Sequence, residues 1–342
     1  MLRGSQVVSV VGATGLVGSE IARLLLLRGF PMSGLILFAS GNNPERKVCL
    51  AGRNVPIRPF ALDAIRGTDI CFLAAGGDFS RRNAEAIAAE GVTVIDNSSA
   101  FRMDSRVPLV VPEVNPDDIR ENSGLIANPN CSTIQMVLAL APLHREWKLR
   151  RVIVSTYQAV TGAGLMAAGE LARESDAALR GEPVTGEVFP HPIAFNVLPH
   201  IDKFDSQGWT REEKKMRDET KKIMGDSSIE VVATAVRVPV FRGHSEAVHA
   251  EFMKNVDLER ARLVLSRSPG IELVDKPAEN IYPMPIDCAG MDDTLVGRLR
   301  RDPASERAIC MWIVSDNLRK GAALNAIQIA ELLAEKDLIP GK

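Results

Sequence analysis

The stretch that most constrains this chain is Val7-Val-Ser-Val-Val11, which leads directly into Gly12-Ala-Thr-Gly15-Leu-Val-Gly18 and then the amphipathic segment Ser19 to Arg28. A β-branched run reads as strand, the clustered glycines as a tight turn, and the amphipathic segment as helix. Strand, glycine turn and helix in that order open a βαβ unit. The glycines let backbone approach a pyrophosphate closely, and the charge of that group then meets the helix N-terminus. The spacing is G-x-x-G-x-x-G, where the common fingerprint is G-x-G-x-x-G, so a purely structural turn stands beside the dinucleotide-binding expectation.

The rhythm continues. Leu35 to Phe38 reads as the next strand and ends in Ala39-Ser40-Gly41-Asn42-Asn43, with Arg46 and Lys47 soon after. An acidic residue at this strand end would accept the ribose hydroxyls of NAD; none is present, and hydroxyl, amide and basic groups suit a 2′-phosphate, so NADP is expected. A solvated basic loop is the plainer account of Arg46 and Lys47. Strand Ile70 to Ala74 runs into Ala75-Gly76-Gly77, then helix Ser80 to Ala89, then strand Val92 to Ile95, after which Asp96-Asn-Ser-Ser-Ala-Phe-Arg102 follows. Alternating strands and helices imply a doubly wound parallel sheet whose ligands gather at the carboxyl ends of the strands. Arg102 stands just beyond such an end. There it can pair with phosphate or carboxylate, or simply lie on the surface.

Gly124 to Ala127 is a further strand-like run, and Asn128-Pro-Asn-Cys131-Ser-Thr133 opens the long apolar segment Ile134 to Trp147. Cys131 is therefore expected in the first turn of a helix. Unpaired N–H groups and a partial positive charge there favour a thiolate, which makes Cys131 a candidate nucleophile. A small buried hydrophobe is the competing account.

From Arg151 the pattern changes. Val152 to Gln158 alternates as a strand, and Ala-Val-Thr161-Gly162-Ala-Gly164 turns into a helix over Leu165 to Leu179. The segment 182–206, rich in proline and aromatics, reads as ordered chain with little regular structure. Thr210 and Glu213 have capping-box spacing for a helix that Gly225 ends. Glu219 and Lys222, three apart on that helix, share a face and by spacing alone read as a solvated ion pair. Glu230 to Val238 and Ala247 to Phe252 alternate as a strand pair, with Arg237 near the end of the first. His244 is expected in the glycine-flanked turn between them, where a side chain is displayed yet supported. His249 reads as a structural strand residue. Near the C-terminus, Ala308 to Val314 is a strand, 315–321 a loop containing Asn317, and Ala322 to about Lys336 a helix.

Composition excludes several classes. A formal net charge of -2 lacks the basic surplus of a nucleic-acid binder, while a small anionic metabolite remains compatible. Apolar runs such as Met136 to Leu143 are too short to span a membrane, and the N-terminus lacks a signal-peptide pattern, so a cytoplasmic protein is expected. The 5 cysteines are scattered without a C-x-x-C pair, which points to neither a disulfide framework nor a metal site. The 342 residues suffice for two ordinary domains.

A nicotinamide cofactor, a helix-N-terminal cysteine and a histidine together point to interconversion of an aldehyde and an activated acyl group through a thioester. If the acyl group is an acyl phosphate, arginines for carboxylate and phosphate are needed, and Arg237 and Arg102 are available.

At this point the sequence resembles the aspartate-semialdehyde dehydrogenases along essentially its whole length. The resemblance rests on Gly12-Ala-Thr-Gly-Leu-Val-Gly18, Asn97 to Arg102, Asn128 to Thr133, Tyr157 to Gly162, Phe195 to Pro199, Arg237-Val-Pro-Val, Gly243-His-Ser-Glu246 and Asn317 to Ala323, all in the family's order. It implies reduction of L-aspartyl-4-phosphate to L-aspartate-4-semialdehyde by NADPH, with release of phosphate, in the route to lysine, threonine, methionine and isoleucine. It implies Cys131 as nucleophile, His244 as general base or acid, and Gln158 as the residue orienting the acyl group. Arg237 would bind the substrate carboxylate and Arg102 the phosphate, with Asn130 beside the nucleophile. Glu219 and Lys222 match a Glu-x-x-Lys pair for substrate amine and phosphate, which displaces the surface ion-pair account. Gly12, Thr14, Gly15, Leu16, Val17, Ser40, Gly76, Thr161, Gly162 and Asn317 match cofactor-contacting positions, and no metal is implied.

The implied architecture is α/β: a Rossmann-type doubly wound parallel sheet domain, residues 1–130 with 320–342, plus an α+β catalytic and dimerisation domain, residues 131–319, in a homodimer or homotetramer. The chain departs from many relatives after Ser40, where Gly-Asn-Asn-Pro-Glu-Arg replaces a serine, arginine, serine, alanine, glycine run. Thr161 stands where serine is frequent. The nearest rival, N-acetyl-gamma-glutamyl-phosphate reductase, usually carries its cysteine in a Pro-Gly-Cys-Tyr context. A silent cofactor-binding paralogue would not need Cys131, Gln158, Arg237 and His244 together.

Overall fold

The structure, a computed structural model, describes residues 6–41, 47–50 and 52–339. Two compact units divide the chain, one taking the described residues up to Pro129 and from Ala322 onward, the other Asn130–Gly321.

In the first unit, β1 (Gln6–Val11), α1 (Leu16–Leu27), β2 (Met32–Ala39), β3 (Lys47–Leu50), β4 (Arg53–Pro59), α2 (Leu62–Ile65), β5 (Ile70–Leu73), α3 (Gly77–Ala89), β6 (Thr93–Asp96) and β7 (Leu125–Ala127) follow in order. The strands form one sheet, β3-β4-β2-β1-β5-β6-β7, parallel throughout except for the β3–β4 hairpin. β1 and β5 are neighbours, so the glycine turns that follow them lie side by side at their carboxyl ends. Gly12 and Ala13 donate to the Phe38 carbonyl at 2.9 and 3.0 Å, which pins the first turn. Gly12 has φ +87, and a Cβ on Gly18 would stand 2.2 Å from the Gly12 carbonyl oxygen. Both positions therefore demand glycine. α1 consequently starts at Leu16, three residues before the expected Ser19.

The second unit contains α4 (Cys131–Trp147), β8 (Leu149–Gln158), α5 (Leu165–Leu179), α6 (Arg211–Met224), β9 (Glu230–Arg237), β10 (His244–Phe252), α7 (Leu258–Ser266), β11 (Ile271–Leu273), α8 (Pro285–Cys288), β12 (Thr294–Asp302) and β13 (Ser305–Ser315). The last helix, α9 (Leu324–Glu335), returns to the first unit and shares a core with α1. Its Leu324, Ile327, Ile329 and Leu333 are at most 1% exposed. At about 1.5–3 kcal/mol for each such side chain, these four rival the whole net stability of an ordinary domain. Hence the segment cannot be left off that core.

The second sheet has the order β11-β12-β13-β10-β8-β9. This corrects the expected pairing of β9 with β10, because β8 lies between them, parallel to β9 and antiparallel to β10. The connection from β9 to β10 crosses the end of β8, where Val238 N donates to Gln158 O at 3.0 Å and Val160 N to Val240 O at 2.8 Å. Helices α4 and α6 cover one face. Residues 182–206 hold neither helix nor strand, as their composition implied, and two buried carboxylates of α5 anchor them. Glu170 accepts from the backbone of Glu187, Val188 and Phe189, and Glu174 from Ile193 and Ala194. Among the described residues no helix is long and apolar enough to cross a membrane, and no group of side chains could hold a metal ion.

Candidate active site

Cys131 is the first residue of α4 and is half-buried. The N-cap is Asn130, whose Oδ1 accepts from Ser132 N at 3.0 Å and Thr133 N at 3.1 Å. Capping turns Asn130's carbonyl toward the helix, and the remaining N–H groups hold a partial positive charge beside the thiol. A Cβ on Gly321 would lie 3.0 Å from the Cys131 Cβ, so the chain at Gly321 is packed directly against this cysteine.

Strand register brings three side chains to one end of the second sheet. Gln158 pairs with Arg237 across β8 and β9, Tyr157 with Ser245 across β8 and β10, and His244 with Ser315 across β10 and β13. The expected placement of His244 in a turn is thereby corrected: it is the first residue of β10 and is fully buried. The peptide of Ala159 links two of these groups, its N–H donating to His244 Nδ1 at 3.0 Å and its carbonyl accepting from Arg237 Nη1 at 2.7 Å. With Nδ1 accepting, the neutral ring carries its proton on Nε2. That nitrogen is buried without a partner and faces Gly162, where a Cβ would come within 3.3 Å.

Burial pushes the His244 pKa down, the Arg237 charge adds to this and Glu212 opposes it, leaving the value about 3. Burial also lowers Arg237, with the charges of Glu212 and Cys131 opposing. Arg237 Nε is buried and has no partner, while its guanidinium sits 5.8 Å from the Phe189 ring centroid. An almost fully buried arginine with an open Nε–H has the chemistry to receive an anion, since a buried donor without a partner is costly.

Glu219 is buried and accepts from Asn130 N at 2.7 Å, so it is no solvated surface residue. Lys222 is half-buried one turn further along α6. Asn317 spends its amide as a brace, Nδ2 donating to Thr161 Oγ1 at 3.1 Å and Oδ1 accepting from Gly243 N at 2.9 Å. It thus ties the Thr161–Gly162 turn to the residue before His244.

Two contributors escaped the sequence. Ala159 acts through its backbone and leaves no side-chain signal. Glu212 is buried on α6 and accepts from Asn130 Nδ2 at 2.8 Å, Gln158 Nε2 at 3.0 Å and Lys215 Nζ at 3.1 Å. A signal did exist, for Glu212, Lys215, Glu219 and Lys222 follow i, i+3, i+7, i+10 spacing, the stripe an amphipathic helix normally fills with apolar residues.

The first unit gathers the other predicted residues. Thr14, Gly15, Ser40 and Gly76 are exposed, and Leu16 and Val17 start α1 half-buried. Gly15 and Gly76 are the N-caps of α1 and α3, neither with a side-chain cap bond, so both helix starts have N–H groups for a pyrophosphate. Asn42, Asn43 and Arg46 lie outside the described residues, and Lys47 is exposed at the start of β3. Arg102 is buried, with Nε donating to Asn128 O at 2.9 Å and Nη2 to Asn97 O at 3.1 Å.

Comparison with known proteins follows the same division. Residues 7–122 match the family model "Semialdehyde dehydrogenase, NAD binding domain", and residues 140–320 match "Semialdehyde dehydrogenase, dimerisation domain". The aspartate-semialdehyde dehydrogenase of Aquifex aeolicus is 49% identical over 336 residues, covering 97% of this chain and 99% of that protein. That of Bacillus subtilis is 45% identical over 340 residues, covering 97% and 98%. A crystal structure of aspartate semialdehyde dehydrogenase II from Vibrio cholerae matches with a TM-score of 0.92 at 44% identity, over 97% of this chain and 99% of that one. With both halves matched and these relatives aligned nearly end to end, the chain belongs to the aspartate-semialdehyde dehydrogenase family.

Proposed function

We propose that the protein converts L-aspartyl-4-phosphate to L-aspartate-4-semialdehyde with NADPH, releasing phosphate, through a thioester on Cys131. The observation that carries this is the gathering of Cys131, Gln158, Arg237 and His244 in one unit, with the Ala159 peptide joining the last two. The thiolate attacks the acyl carbon, and phosphate departs with the electrons of the C–O bond, which leaves the thioester. When bound, the nicotinamide supplies the hydride that reduces the acyl carbon. His244 then donates a hydrogen bond from Nε2 to the oxygen that gains charge, and the C–S bond breaks to release the aldehyde. Of the base and acid roles open to His244, the donating one suits a ring whose Nδ1 is already an acceptor.

In this scheme Gln158 orients the acyl group, Arg237 holds the substrate carboxylate and Arg102 the phosphate. Glu219 and Lys222 serve the substrate amine and phosphate, and Asn130 holds the start of α4. Gly12, Thr14, Gly15, Leu16, Val17, Ser40 and Gly76 would hold the dinucleotide, and Thr161, Gly162 and Asn317 are further cofactor-contacting positions. The uncapped helix starts at Gly15 and Gly76 support this fit. NADP is favoured over NAD because Ala39-Ser40-Gly41 ends β2 without an acidic residue. The protein is a homodimer or homotetramer. Ile153 and Tyr157, exposed at 42% and 38% on the sheet face opposite α4, offer apolar surface for such contact.

Purified protein is expected to reduce NADP with aspartate semialdehyde only when phosphate or arsenate is present. Turnover without either anion would rule out the acyl-phosphate route, and preference for N-acetylglutamate semialdehyde would reassign the substrate.

His244 also sets a pH signature. Since it stays neutral, the kcat/KM profile is expected to lack an imidazole limb between about pH 5 and 8. The unfolded chain takes up a proton on this ring near the ordinary value of about 6.5, and the folded state does not. The stability from neutral His244 is therefore complete above that value and is lost as pH falls toward 3. Urea unfolding at about pH 7 and pH 4.5 should show the wild type losing more stability than His244→Gln; equal losses would contradict a neutral buried ring.

A further inference from the structure

We propose that Glu212 is the positioning residue that sets the orientation of both amide side chains flanking Cys131. This rests on the roles given above to Cys131 and Gln158.

One oxygen of Glu212, Oε1, accepts from Asn130 Nδ2 at 2.8 Å and from Gln158 Nε2 at 3.0 Å. An ionised carboxylate can only accept, whereas a carboxamide presents a donor on one side and an acceptor on the other. Both amides must therefore turn their nitrogens toward Glu212 and their oxygens away. For Asn130 this places Oδ1 on the N–H groups of Ser132 and Thr133, the cap that starts the helix bearing the nucleophile. For Gln158, Nε2 is engaged by Glu212 and by Ser132 Oγ, so the amide is held by groups on either side of the cysteine's own turn. Reversal of either amide would set an oxygen against the carboxylate. Reversal of Asn130 would also leave two helix N–H groups without their acceptor.

The anion itself is secured. Burial alone would raise the Glu212 carboxyl; the Lys215 ammonium and the hydrogen bonds from Gln158, Asn130 and Lys215 outweigh it and hold the value at about 2. Lys215 Nζ bridges Glu212 Oε2 at 3.1 Å and Asp202 Oδ2 at 2.9 Å, so the ammonium that balances Glu212 is itself held in place by the segment that precedes the helix. With Glu212 ionised at every working pH, the two amides have one arrangement. A preoriented group need not be reorganised during reaction, which is where misplacement costs rate.

The test is Glu212→Gln, which keeps shape while removing the charge and the acceptor-only character. We expect kcat in the phosphate-dependent reaction to fall about 10- to 100-fold, with KM for NADP within about twofold and a thermal midpoint within about 4 °C of the wild type. A kcat within about twofold of the wild type would overturn the proposal. Neutron diffraction from the unsubstituted protein decides the matter even if the variant folds poorly. It should show deuterium on Gln158 Nε2 and Asn130 Nδ2 facing an unprotonated Glu212; an amide oxygen facing Glu212, or deuterium on its carboxyl, would overturn the assignment. Absence of phosphate-dependent turnover in the wild type would sink the proposed reaction instead and leave the neutron result standing.

Discussion

Cys131→Ala is expected to lower phosphate-dependent turnover by on the order of 10⁴-fold or more, the scale on which loss of a covalent nucleophile is usually felt. Cys71 and Cys288 are poor substitutes, since both are buried and each is pushed up to about 12 chiefly by burial. Alanine is a good helix former, and the cap on α4 comes from Asn130, so the helix should persist. The dinucleotide turns belong to β1 and β5, and NADPH affinity should stay close to that of the wild type. Initial rates with aspartate semialdehyde, phosphate and NADP, alongside fluorescence titration with NADPH, check both halves. Residual turnover above about one hundredth of the wild type would take Cys131 out of the covalent role.

Arg237→Leu should cost about 10³-fold in kcat/KM for the semialdehyde, in line with removal of a buried, charge-assisted carboxylate partner. The residue is 5% exposed, with Nη1 on Ala159 O and Nε open. Any anion it binds is therefore held in a largely desolvated place, where a charge pair is strongest. Lysine at this position should recover only part of the loss, because the fork that meets the Ala159 carbonyl and a carboxylate together is particular to arginine. Steady-state kinetics with varied semialdehyde and fixed cofactor measures the effect. A loss below tenfold, or an equal change in the KM for NADP, would mean that Arg237 does not hold the substrate.

Much of the first unit was legible because its signals are local. A β-branched run gave β1, short apolar runs gave β2, β5 and β6 within a few residues, and the glycine turn gave the start of α1 to within three residues. The cap at Thr210, bonded both ways with Glu213, and the left-handed Gly225 bounded α6 as spacing required. Other elements were missed where the local signal is weak. β12 carries Arg298, Arg300 and Arg301 and does not read as a strand, and β11 is only three residues long. The β3–β4 hairpin lacks clean alternation and turns at Gly52, φ +77.

Position and chemistry singled out Cys131, Arg102, Arg237, His244 and the glycine turn as candidates, and resemblance supplied their roles and the rest of the site. Glu219 shows the limit of spacing, since i, i+3 separation describes a surface pair and a buried one equally well. What separates them is that α6 lies against α4 and β9, which sequence periodicity does not state. Glu212 escaped for the same reason, although its place in the polar stripe with Lys215, Glu219 and Lys222 was readable.

By itself the sequence determined where strands end in glycine turns, which cysteine opens a helix, and which family the motifs resemble, since each depends on residues adjacent in the chain. Only the tertiary structure decided that β8 separates β9 from β10, that Ala159 joins Arg237 to His244, and that one carboxylate on α6 faces two amides beside the nucleophile. Those outcomes depend on strand order, register and the face a helix buries, and they arise from packing between segments up to about 100 positions apart in the chain.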